Sequence, residues 1–171
     1  MYEPGMIVEG TATNATLTSN LATVICDHSF AEAETQTTGG ASATVTGTIK
    51  VLNFTGCETT TGLGCTVSVE NTPYHALVHW VSGDDGTLAV KTGGGGSPGA
   101  AVVCAGVMSC TFERSLFTLP IDGSNPAAVA ASKVSLERTP FGGTPLCGIQ
   151  ASWDATYTAV GGITSIFVLK E

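Results

Sequence analysis

The sequence predicts an all-β fold: an antiparallel β-sandwich or barrel of roughly ten short strands stapled by disulfides. Three observations predict it. Short runs rich in Thr and Val alternate polar and apolar residues with period two, as half-buried strands do. Gly, Asn and Pro interrupt these runs at close intervals, supplying turns. Six cysteines, Cys26, Cys57, Cys65, Cys104, Cys110 and Cys147, form the even set that three disulfides in an oxidising compartment require.

Taken in chain order, the first strand signal covers residues 21–27. The clearest covers 44–51, where Val45, Gly47, Ile49 and Val51 face one side and Thr44, Thr46, Thr48 and Lys50 the other. Leu52 and Phe54 then change face, which predicts a bulge or bend. The next run turns Cys65, Val67 and Val69 inward and Thr66, Ser68 and Glu70 outward. Residues 74–81 and 87–91 form a hairpin around Ser82-Gly83-Asp84-Asp85-Gly86, where Asp-Gly supplies the positive φ of a tight turn. Further strands are predicted at 100–104, 110–113, 128–137, 149–158 and 163–169. Residues 92–99, Thr-Gly-Gly-Gly-Gly-Ser-Pro-Gly, read as a long loop inside one domain spanning 1–171 rather than as a linker. A linker there would leave three cysteines in each half, an odd count.

Spacing also suggests a disulfide pattern. Cys57 with Cys65 and Cys104 with Cys110 bracket small, turn-prone residues, as hairpin tips pinned by local bridges do. Cys26 and Cys147 are then left to span the fold. Fifteen pairings of six cysteines are formally open.

Composition excludes several function classes. With 171 residues, 43% of them hydrophobic, the chain buries a sizeable core. Its formal charge of -8, from 14 acidic against 6 basic residues, repels a phosphate backbone or an anionic lipid surface, so no nucleic-acid partner is expected. The longest apolar run, 100–108, falls far short of the roughly 20 residues a membrane-spanning helix needs. Residues 1–10 lack the basic start and apolar stretch of a signal peptide, so either a leader was removed or export uses none.

Several segments carry a likeness: Val51-Leu52-Asn53-Phe54-Thr55-Gly56-Cys57, residues 65–74 with Asn71-Thr72-Pro73, Val102-Val103-Cys104 with Cys110-Thr111-Phe112, and Ser152-Trp153-Asp154-Ala155-Thr156-Tyr157. Over roughly Leu17 to Val168 the chain resembles a group of secreted actinobacterial proteins of unknown function. The resemblance implies export, an all-β fold and disulfides. It implies no activity, cofactor or catalytic residue.

Candidate chemistry is sparse. His75 and His79 lie on a strand, where positions four apart are ~13 Å from each other, too far to share an ion. Asp27, His28 and Ser29 are adjacent, whereas a catalytic triad is assembled from separate elements. Gly95-Gly96-Ser97-Pro98-Gly99 matches a nucleophile elbow literally but precedes a strand, not a helix. Asp84 and Asp85 suit a turn, and Asp122 suits an Asx turn better than a calcium loop. No cofactor and no metal site is expected. Trp153 and Tyr157 share a strand face and are the candidate ligand-facing aromatics. The sequence therefore points to a secreted or cell-surface, non-catalytic interaction or assembly protein. Its expected partner is protein, including further copies joined through strand edges. The alternative is a carbohydrate-binding module or a small glycan-acting enzyme.

Overall fold

The computed structural model describes residues 3–39, 44–124 and 126–160. Eleven antiparallel strands build it: β1 (Ile7–Ser19), β2 (Thr23–Thr35), β3 (Val45–Thr59), β4 (Gly64–Glu70), β5 (Tyr74–Ser82), β6 (Asp85–Lys91), β7 (Gly99–Cys104), β8 (Met108–Glu113), β9 (Leu116–Asp122), β10 (Ala128–Gly143) and β11 (Gln150–Val160). A short 3-10 turn, Pro145–Cys147, joins β10 to β11. The strand predicted at 163–169 lies outside the described residues.

The sheet closes on itself as a barrel. Five long strands in the order β10-β11-β1-β2-β3 form a continuous wall, and two sets of three short strands complete it at different heights. At one end β4, β7 and β8 bridge from Cys57–Glu58 of β3 to Glu137, Arg138 and Gly143 of β10. At the other, β5, β6 and β9 bridge from Val45–Ile49 of β3 to Ala128–Val129 of β10. Each circuit contains eight strands, the number at which a barrel interior is just filled by side chains or holds one small ligand. Closure gives every described strand a neighbour on both sides. Closure therefore leaves no described strand wholly unpaired on one side, which shortens the free edges that strand addition between copies would use.

The chain changes tier three times, at 71–73, 92–98 and 114–115. These links meet at a seam. Thr92 N–H donates to Ser115 O (3.0 Å), Arg114 N–H to Pro98 O (2.9 Å) and Asn71 Nδ2 to Ser97 O (3.0 Å). The Gly-rich run is explained by this closeness: a Cβ on Gly93 would sit 1.9 Å from Pro73 O, a backbone atom with little room to yield.

Alternation decides what faces the lumen. On β3, Val45, Gly47 and Ile49 point inward, the register slips by one residue opposite Glu32/Ala33, and Leu52 and Phe54 take over the inward face. The sequence predicts this bulge but places it after Val51; the slip comes between Ile49 and Val51, so Val51 lies on the face opposite to Ile49 and Leu52. Gly10, Ala12 and Ala15 of β1 lie against Ala31, Ser29 and Cys26 of β2. Such small residues line a barrel closely but fill little of it.

The disulfides are Cys26–Cys57, Cys65–Cys104 and Cys110–Cys147, not the local hairpin bridges expected from spacing. The register supplies the reason. Cys26, Cys57, Cys65 and Cys104 stand directly opposite one another in a row across β2, β3, β4 and β7. Joining the middle two would strand Cys26 and Cys104 three strands apart, about 14 Å. Pairing the outer neighbours uses all four. Cys104 faces Met108 across the β7–β8 hairpin and Cys110 faces Val102, so those two cysteines are offset. Cys110 instead meets Cys147, whose approach needs Gly143, where a Cβ would lie 2.6 Å from Cys147 Sγ. All six cysteines lie in the tier of β4, β7 and β8, packed with Val24, Val102, Met108, Phe112 and Leu136.

Candidate functional sites: the hairpin tips and the lumen

At the disulfide end the barrel circuit consists of four hairpins: β10–β11, β1–β2, β3–β4 and β7–β8. Their tips are residues 144–149, 20–22, 60–63 and 105–107. Each tip carries an exposed large apolar side chain: Leu146 and Ile149, Leu21, Leu63, and Val107, with exposures from 43% at Leu63 to 73% at Ile149. None of these tip residues is charged. Half of the exposed large hydrophobic residues, five of ten, are thus gathered on one end of the described barrel. The local sequences explain their exposure: Gly62, Gly106 and Gly148 hold positive φ in the turns, which lift the neighbouring side chain off the body.

The lumen is the second feature. Trp153 and Tyr157, placed together by the sequence, lie inside the barrel and not on an outer platform. Tyr157 is buried, and its hydroxyl donates to Ser29 Oγ (2.7 Å), which donates in turn to Asn53 O (2.9 Å). Burial pushes the Tyr157 pKa up to about 12. Trp153 meets Tyr157 and Phe117 edge to face, with ring centroids 6.1 and 5.9 Å apart. Leu52, Tyr74, Phe117 and Trp153 border two interior cavities at once, so they form a waist. On the disulfide side of the waist the cavity is about 60 Å³, walled by Phe54, Val67, Val69 and Leu136. On the other side it is about 170 Å³, walled by Ala76, Val78, Leu88, Val90, Leu119 and Ile121 among others. Tyr74 is held at the seam, where its hydroxyl donates to Glu70 O and accepts from Gly99 N–H (3.4 Å); burial raises its pKa to about 12.

The other polar residues do not converge. His75 and His79 are exposed on the outer face of β5, with His79 Nδ1 3.0 Å from Thr44 Oγ1. Asp27 and His28 are exposed while Ser29 faces inward, so the three adjacent residues point apart. Asp122 accepts from Ser124 N–H (2.9 Å), and hydrogen bonding by Ser124 holds its carboxyl below the usual range. Among the described residues no three His, Cys, Asp or Glu side chains gather as a metal site would require. No helix among them is long and apolar enough to cross a membrane. The apolar tips escaped the sequence reading because they are single residues in turns; Leu21 reads there as the start of a strand.

Comparison with protein families, with curated proteins and with solved structures finds no match to the chain.

Proposed function

We propose that this chain is a non-catalytic, extracellular interaction protein that associates with a second copy of itself, tip end to tip end. The carrying observation is the set of five exposed apolar side chains on four uncharged hairpin tips. Exposed apolar side chains gathered on one uncharged end of a barrel suit an interaction site. The choice of partner follows from charge. The chain carries -8, none of it on the tips. A two-fold contact through the tips buries the uncharged ends and holds the acidic bodies apart, whereas head-to-tail stacking would press apolar tips onto charged surface. An anionic membrane is disfavoured by the same charge. Three disulfides fit an extracellular setting and brace the end that carries the contact.

Sedimentation velocity across a concentration series tests this. The expected result is a dimer that dissociates on dilution, and that Leu146→Ser with Ile149→Ser converts to monomer while leaving the melting temperature nearly unchanged. A wild-type chain that stays monomeric at its highest soluble concentration refutes the proposal.

A further inference from the structure

The larger cavity is empty of side chains for a reason written in its walls. Gly10, Ala31, Ala33, Gly47 and Ala76 occupy inward positions where Leu or Phe would fill the space. Inward-facing Ile49, Leu52, Val78 and Leu88 consequently remain only half-buried. At about 170 Å³ the space is of the size, ~150 Å³, at which an apolar cavity admits benzene.

One polar group in this lining lacks a partner. Trp153 Nε1–H is shielded from solvent and finds no hydrogen-bond partner among the described residues. Buried donors in folded proteins are nearly always satisfied, so an orphan at the waist between two cavities marks an acceptor still to come. A water would be held poorly there. It needs two to four polar partners, and the other waist residues are Leu52, Phe117 and Tyr74, whose hydroxyl is already engaged by Glu70 and Gly99, as the Tyr157 hydroxyl is by Ser29.

We infer that the lumen is a binding site for a small, uncharged, apolar molecule bearing one carbonyl-type acceptor, which takes the hydrogen bond of Trp153 Nε1–H. A carboxylate guest is disfavoured because no Lys or Arg stands among the walls to pair with its charge. A saturated hydrocarbon would fit the walls but leave the indole unsatisfied. This site is independent of the tip contact, since it lies inside the barrel.

Acetophenone and α-methylstyrene test it, being near-isosteric and differing in a carbonyl oxygen against a methylene. Calorimetric titration of the oxidised protein is expected to show the ketone binding roughly tenfold more tightly, as one hydrogen bond to a buried donor implies. The indole N–H resonance of Trp153, told from that of Trp80 with Trp80→Phe, is expected to move with the ketone alone. Trp153→Phe is expected to equalise the two ligands; should that variant fail to fold, the wild-type resonance decides. Equal affinities, or an unmoved Trp153 resonance, overturn the hydrogen-bond assignment. Binding of neither compound overturns the site.

Discussion

Removing Cys65–Cys104 by Cys65→Ser with Cys104→Ser separates the observed disulfide pattern from a local one. In the chain-entropy account a bridge stabilises by restricting the unfolded chain, in proportion to the logarithm of the loop it closes. The three loops span 31, 39 and 37 residues and do not overlap. Each is therefore worth about 3.7–3.9 kcal/mol at 25 °C, and their effects add. A local Cys57–Cys65 bridge, with a loop of about eight residues, would contribute only ~2.5 kcal/mol. The double variant is expected to lose about 4 kcal/mol in guanidinium unfolding followed by circular dichroism, with a steeper slope because the less restricted unfolded chain exposes more surface. Thiol titration in denaturant is expected to find no free cysteine, because the other two bridges stay whole. Two free thiols, from Cys57 and Cys110, would show that the hairpin bridges form instead and would refute the register argument; an unchanged midpoint would refute the chain-entropy estimate.

Other consequences are as direct. Gly93→Ala drives a Cβ into Pro73 O and is expected to cost about 2–3 kcal/mol, as overpacking does, read as a fall in melting temperature; an unchanged value refutes the close seam. Ser29→Ala leaves the Tyr157 hydroxyl buried without its acceptor and is expected to cost about 1–3 kcal/mol, part of which returns on adding Tyr157→Phe; a neutral Ser29→Ala contradicts this. Tyr74 and Tyr157 have folded pKa values raised from 10.0 to about 12, so the folded state binds more protons between those values. Their contribution is full below pH 10 and is lost as pH rises towards 12, so alkaline unfolding is expected to coincide with tyrosinate absorbance at 295 nm. More than one of the chain's three tyrosines ionising well before unfolding would contradict the burial.

The strands that alternate cleanly are legible from sequence. Val45, Gly47 and Ile49, the changed face of Leu52, and the inward set Cys65, Val67 and Val69 all stand as the pattern predicts. β1 is not legible, because its inward residues Gly10, Ala12 and Ala15 are too small to register as a hydrophobic stripe. β9 hides behind Pro120, which ordinarily demotes a strand; here it stands opposite Thr87, and the short pairing with β10 stops at Ile121. The second half of β2, Phe30-Ala31-Glu32-Ala33-Glu34, carries helix-favouring Ala and Glu and is held extended by neighbours on both sides. The disulfide pairing is a property of register between strands far apart in sequence, which spacing alone does not encode. The same holds for the lumen. That Trp153 and Tyr157 share a face is written locally, but that the face turns into a barrel follows from closure.

The order of the bridges along the chain has a consequence for biogenesis. Cysteines pair as they appear: first with second, third with fourth, fifth with sixth. In a chain delivered N-terminus first to an oxidant, the partner of each unpaired cysteine is the next to arrive, so bonds made in order of arrival need not be undone. Of the 15 possible arrangements, this is the one that strictly sequential oxidation makes. Maturation thus needs an oxidant and a direction of delivery, but no disulfide shuffling. A fully reduced chain refolding in bulk, with all six thiols present at once, has lost that guidance.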